Sequence, residues 1–203
     1  MTFGLVKHNN NSISAITSAG QLAQGKMTLL QTQTASSSSS IDFTSNIDST
    51  YPIYIFKLIN IHPSVDNHIF EFQGNASGGS GFNETITSTV FRAYHTEGDS
   101  TSLEYVTSED LAQGTDYQHL ANGLGNANDE SLSGELTLFN PSSTTFVKHF
   151  LCVMNSSAVT PATYNDFVGG YFNTTTAITR FQFKMSTGNI DAGTIKLYGI
   201  KDS

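Results

Sequence analysis

TAITRFQFKMSTGNIDAGTIKLYGIK, residues 176–201, is the stretch that decides the fold class. Successive side chains of an extended chain point to opposite faces. Thr179, Phe181, Phe183 and Met185 therefore share one side, and Arg180, Gln182 and Lys184 share the other. Such alternation marks a strand with one buried and one wet face. Residues 186–193 carry Gly188, Asn189, Asp191 and Gly193, types that accept the backbone angles of turns. Beyond them Ile195 and Leu197 face one way, Lys196 and Tyr198 the other. The stretch predicts a β-hairpin lying inside a main sheet, with Phe181 and Phe183 in the core.

The same period recurs upstream. In residues 52–61, Ile53, Ile55, Ile59 and Ile61 line one face around Lys57, while Tyr54, Phe56 and Leu58 line the other. In residues 145–154, Phe146, Phe150, Cys152 and Met154 oppose Val147, His149, Leu151 and Val153. Both segments are apolar on two sides, the pattern of strands covered on both faces. Asn140-Pro141 starts a turn between residues 134–139 and 145–154, which predicts a second hairpin. Residues 68–73 and 84–95 alternate as well, and residues 74–81 form a glycine-rich loop. One helical turn is expected at residues 108–112, where Ser108 and Asp110 precede Leu111-Ala112.

Residues 1–25 are small and polar and read as an arm or loop ahead of a single domain at residues 26–203. Eight to ten short strands between turn signals predict an all-β chain, an antiparallel β-sandwich of jelly-roll-like type. At 203 residues one domain is expected, with a core large enough to need no disulfide or metal. The 14 Phe and 8 Tyr supply the bulk of that core.

Composition excludes several classes. Charged residues make up 13%, against about 25% in ordinary soluble domains. Ser, Thr, Asn and Gly replace them. The net charge is −8 and no two basic residues are adjacent, so nucleic acid is not an expected partner. The single Cys152 forms no internal disulfide and has no zinc-type spacing. No signal-peptide core and no membrane-spanning apolar run are present, so neither membrane nor secretion is expected.

Chemistry-bearing motifs are sparse. His8, His62, His68, His95, His119 and His149 are scattered, with no i, i+4 pair of a metal helix. His149 and Cys152 lie three residues apart, which on a strand places them on opposite faces and disfavours a nucleophile pair. Asn126, Asn128 and Glu130 lack the spaced carboxylates of a calcium loop. No catalytic residue, no cofactor and no metal site are expected, and the chain reads as a non-enzyme. Arg180, Lys184 and Lys196 share the outer side of the expected terminal hairpin. They form a candidate docking face, or simply a solvated face guarded by cations. Tyr117, Tyr164 and Tyr171 lie in or near loops and form a candidate glycan platform.

Four segments, read together, carry a resemblance: LLQTQTASSSSSIDFTSNIDSTYPIYIFKLINIHPS (29–64), TITSTVFRAYH (85–95), GELTLFNPSSTTFVKHF (134–150) and VGGYFNTTTAITRFQFKMSTGNIDAGTIKLYGIK (168–201). The chain resembles a group of small proteins of tailed bacteriophages, especially marine ones, generally taken to be virion structural proteins. The resemblance implies an all-β module made in the host bacterial cytoplasm and displayed on the virion, as head decoration or as a tail or fibre component. It implies other virion proteins as partners and carries over no catalytic residue. The alternative is a glycan- or receptor-binding module of a phage tail or fibre. The surplus of two-sided apolar strands predicts a homo-oligomer. Analogy with phage appendages makes that a trimer.

Overall fold

Phenylalanine and isoleucine at every second position leave the backbone little choice but extension, and the architecture follows. A computed structural model describes residues 27–201, and the arm expected at residues 1–25 lies outside the described residues. Every regular element among them is a strand: β1 (Met27–Thr34), β2 (Ile41–Phe43), β3 (Ile53–Pro63), β4 (His68–Ala76), β5 (Ile86–Thr96), β6 (Thr101–Tyr105), β7 (Ala112–Gly114), β8 (Gln118–Leu124), β9 (Leu132–Phe139), β10 (Lys148–Ala158), β11 (Ala162–Phe172), β12 (Ile178–Met185) and β13 (Ile190–Ile200). The all-β expectation is met, with thirteen strands where eight to ten were expected. All pair antiparallel in one connected sheet that runs β1-β13-β3-β9-β10-β8-β4-β12-β2. From β10 a branch continues through β11 to β5, which carries β6 and β7. The sheet curls until it is nearly a closed barrel, and β10 meets β8 through the single pair Ala158–Leu124.

Aromatic rings fill the interior between facing walls. Phe56 of β3 lies 5.0 Å from Phe183 and 5.8 Å from Phe181, both on β12. Phe72 of β4 lies 5.1 Å from Phe150 of β10 and 5.9 Å from Phe172 of β11. Most of these meet edge to face, the arrangement the ring quadrupole prefers. Phe181 and Phe183 are fully buried, as expected.

The terminal hairpin is not there. β12 pairs with β4 and β2, and β13 pairs with β3 and β1, so the two strands sit in different walls and never meet. Residues 186–189 bridge the walls instead. The Ser186 amide donates to the Ile69 carbonyl of β4, and the Asn189 amide to the Ser64 hydroxyl beyond β3. Both strands aim their apolar residues into one core from opposite sides, which produces the same alternation as a hairpin. Gly188 sits at φ +77°, where a side chain would be strained and would press on Val65.

Bulges account for the local departures. A register shift between Ile178 and Arg180 turns Ile178 inward in place of Thr179. Asn60, at φ +50°, bulges β3, so that Ile59 points out and Ile61 points in. Opposite it, Gly193 at φ +122° leaves room for the Asn60 carbonyl, which an added Cβ would approach to 2.6 Å. The hairpin expected around Asn140-Pro141 is present as β9 and β10. Phe146 belongs to its loop and is exposed, and Lys148 takes the inward position of β10. The helical turn expected at residues 108–112 is absent. The chain makes a turn at Val106–Glu109 and then extends as β7 against β5.

Candidate functional site

The two outer surfaces of the curled sheet differ in kind. On the wall β1-β13-β3-β9-β10-β11-β5-β6, outward positions align across strands into rows. One row is Leu29, Tyr198, Ile55, Thr137, Leu151. A second joins Met27, Ile200, Ile53 and Phe139. A third runs Lys196, Lys57, Glu135, Val153, Phe167, Phe91, Tyr105. Leu151 is 58% exposed, Leu29 50% and Phe91 42%, and the Phe91 and Phe167 rings stack 4.9 Å apart. Seven strand spacings make this face about 34 Å wide. Its charges are few: Glu135 is bound to Lys57, and Lys196 stands beside them.

The wall of β4 and β12 is polar outside and covered. Arg180 faces Asn75, Gln182 faces Gln73, and Lys184 faces Glu71 at 3.3 Å. Loops close over this row. Gln73 Nε2 donates to the carbonyls of Glu84 and Asp116 at 3.0 and 2.9 Å. Arg180 donates to the Gly79 carbonyl at 2.6 Å, and Asn75 to that of Gly81. The Tyr117 hydroxyl donates to Gln182, and its ring lies 4.2 Å beneath the Lys184 ammonium.

These placements break up the candidate docking face. Arg180 and Lys184 share the covered wall and are engaged there, whereas Lys196 lies across the core on the open wall. The assumption that failed was strand pairing, since only a hairpin would have set the three cations together. The candidate glycan tyrosines also stand apart. Tyr117 covers β12, Tyr164 lies 4.9 Å beneath the Arg92 guanidinium, and Tyr171 packs beside His149. Tyr164 and Tyr171 are seven residues apart on β11, so they project to opposite faces.

A buried charge cluster escaped the sequence reading. Arg92 of β5 donates from Nε to Asp166 Oδ1 of β11 at 2.6 Å, and from a terminal nitrogen to both carboxylate oxygens of Glu109 at 3.0 and 3.1 Å. All three side chains are buried. Burial pushes the Asp166 carboxyl up to about 7, against the pull of Arg92. Burial pulls the Arg92 guanidinium down, but its two carboxylates more than reverse this. Asp166 Oδ2 has no hydrogen-bond partner. Arg92 shares the inward side of β5 with Ile86, Val90 and Tyr94, and a cation at that phase was the available signal. The arrangement ties the 106–111 turn to β5 and β11. A buried lysine acts similarly: Lys148 Nζ donates to the carbonyls of Phe146 and Thr174 at 2.8 and 3.0 Å. Burial pushes the Cys152 thiol well above its usual range.

No group of three or more His, Cys, Asp or Glu side chains placed to hold a metal ion occurs among the described residues. No helix among them is long and apolar enough to cross a membrane. A cavity of about 720 Å³ opens at the far ends of β5, β10 and β11, lined among others by His95, Asp99, Glu130, Asn155 and Thr163. Comparison with family models, with curated proteins and with solved structures finds no match to this chain.

Proposed function

We propose that the protein is a structural component of a bacteriophage virion that acts by protein–protein binding through the outer face of β1, β13, β3, β9, β10, β11, β5 and β6. The observation that carries the binding role is the apolar surface across those eight strands, which stays exposed among the described residues. Contiguous apolar patches of more than a few hundred Å² are rare on monomers and mark interaction sites. Placement on a virion, as head decoration or in a tail or fibre, rests on the sequence resemblance. A jelly-roll-like sandwich of two packed walls is the arrangement proposed for the curled sheet.

The test is co-purification with density-gradient virions, for the native chain and for a variant carrying Leu151→Glu and Val153→Glu. Native chain on the particles and variant left in the soluble fraction are expected. Particles that lack the native chain would refute the assignment.

A glycan-binding role is the second reading. What favours it is the 720 Å³ cavity, whose carboxylate, amide and hydroxyl groups suit sugar hydroxyls. No Phe, Tyr or Trp lines that cavity, and sugar sites ordinarily want one. Retention on immobilised glycans, lost on Asn155→Ala, would establish this role in place of the first.

A further inference from the structure

We infer that the partner held by the apolar face is a second copy of the same chain, so that the protein self-associates sheet against sheet. The inference rests on the protein-binding role proposed above and adds the identity of the partner.

Area is the first argument. The three rows hold sixteen outward positions of about 4.8 by 6.8 Å each, about 520 Å² in projection. That is about two thirds of the roughly 800 Å² per partner of a standard stable interface. A small ligand would use a fraction of it.

Charge is the second. The chain carries 17 acidic residues against 9 basic ones, so two copies repel each other across most orientations. On the rows described above Glu135 is the carboxylate, and it is bound to Lys57. Asp110 stands at the edge, where it accepts from the Tyr105 hydroxyl, so two copies meeting here bring few acids together. Like-charge juxtaposition costs several kcal/mol, which disfavours the other approaches.

The third argument is the surface itself. Two sheets pack face to face about 10 Å apart when outward side chains interdigitate. In the first row bulky Leu29, Tyr198, Ile55 and Leu151 are broken by the smaller Thr137 and followed by Gly169, while Val153, Phe167 and Phe91 stand side by side in the third. The flanking Lys57, Glu135, Asn155 and Asn165 supply the polar rim of an ordinary interface. Among the described residues the opposite wall offers no comparable surface, because its loops already cover it.

Sedimentation equilibrium of the full chain between about 1 and 100 μM tests this. A closed oligomer is expected. Leu151→Glu with Val153→Glu should weaken it by about tenfold or more. Leu103→Lys, at a 72% exposed position on β6, should weaken it without disturbing the fold. Ser77→Glu, in the loop over the opposite wall, should leave it unchanged. A native chain that stays monomeric throughout would overturn the inference. So would an oligomer that Ser77→Glu disperses and the other variants do not. If the native chain is monomeric yet the double glutamate variant still fails to join virions, self-association falls and the protein-binding role stands. An oligomer that virions lack gives the reverse.

Discussion

The outer faces of β12 and of β10 are both half of an alternating strand, and they have opposite fates. Outside β12, Arg180, Gln182 and Lys184 are each matched by a polar residue of β4 and then roofed by loops. Outside β10, Leu151 and Val153 are apolar and bare. Loop backbone explains the asymmetry. A chain laid over a sheet carries amides and carbonyls that need partners, and Gln73, Asn75 and Arg180 offer them. An aliphatic surface offers none, so a loop crossing it would leave its own backbone unsatisfied. In the proposed assembly the sheet of a second copy, whose polar groups are already paired, covers β10.

The comparison can be broken at several points, the largest effect first. Phe183 underlies both faces, packed among Phe43, Phe56, Phe70 and Phe72. Phe183→Ala should cost about 3–5 kcal/mol in urea unfolding, and a cost under about 1 kcal/mol would put the core elsewhere. On the covered wall, Gln73→Ala orphans the Glu84, Thr115 and Asp116 carbonyls and should cost about 1–3 kcal/mol. The interior behind the open wall has a pH signature. Asp166 is raised from 3.8 to about 7, so between those values the folded chain holds the extra proton. Its contribution is complete below about pH 4 and is lost as pH rises through 7, at up to about 1.4 kcal/mol per pH unit. Asp166→Asn should remove that slope from the midpoints of urea melts taken from pH 4 to 8. Unchanged slopes would mean that Asp166 stays ionised against Arg92. The open face gives the smallest effect. Leu103→Lys should change the stability of the monomeric chain by about 0.5 kcal/mol or less, and a larger loss would mean the side chain is already covered.

Much of the fold was legible in the sequence, because burial follows the two-residue period wherever no bulge intervenes. Phe181 and Phe183 were placed inward from alternation alone, and Ile195 and Leu197, set on one shared face, are buried too. Pairing was not legible, since a strand's period is the same whether its neighbour follows it or faces it across the core. That ambiguity converted an arch into an expected hairpin and put Lys196 with Arg180 and Lys184. The bulges at Ile178–Arg180 and at Asn60 are set by tertiary register, which displaced Thr179 and separated Ile59 from Ile61. The surplus of apolar strands was visible at residues 53–61 and 146–154. Which face stayed open was not, because that depended on where the loops at 74–82 and 107–117 found hydrogen-bond partners.

Hydroxyl-radical footprinting of the protein, isolated and dilute and then in its assembled form, addresses the open face most directly. Met27, Phe91 and Tyr105 are at outward positions of that face, and Tyr117 lies on the opposite wall. Assembly should suppress oxidation at Met27, Phe91 and Tyr105 and leave Tyr117 unchanged. Protection of Tyr117, with Met27 and Phe91 oxidised as before, would place the working surface on the wrong wall and contradict the account.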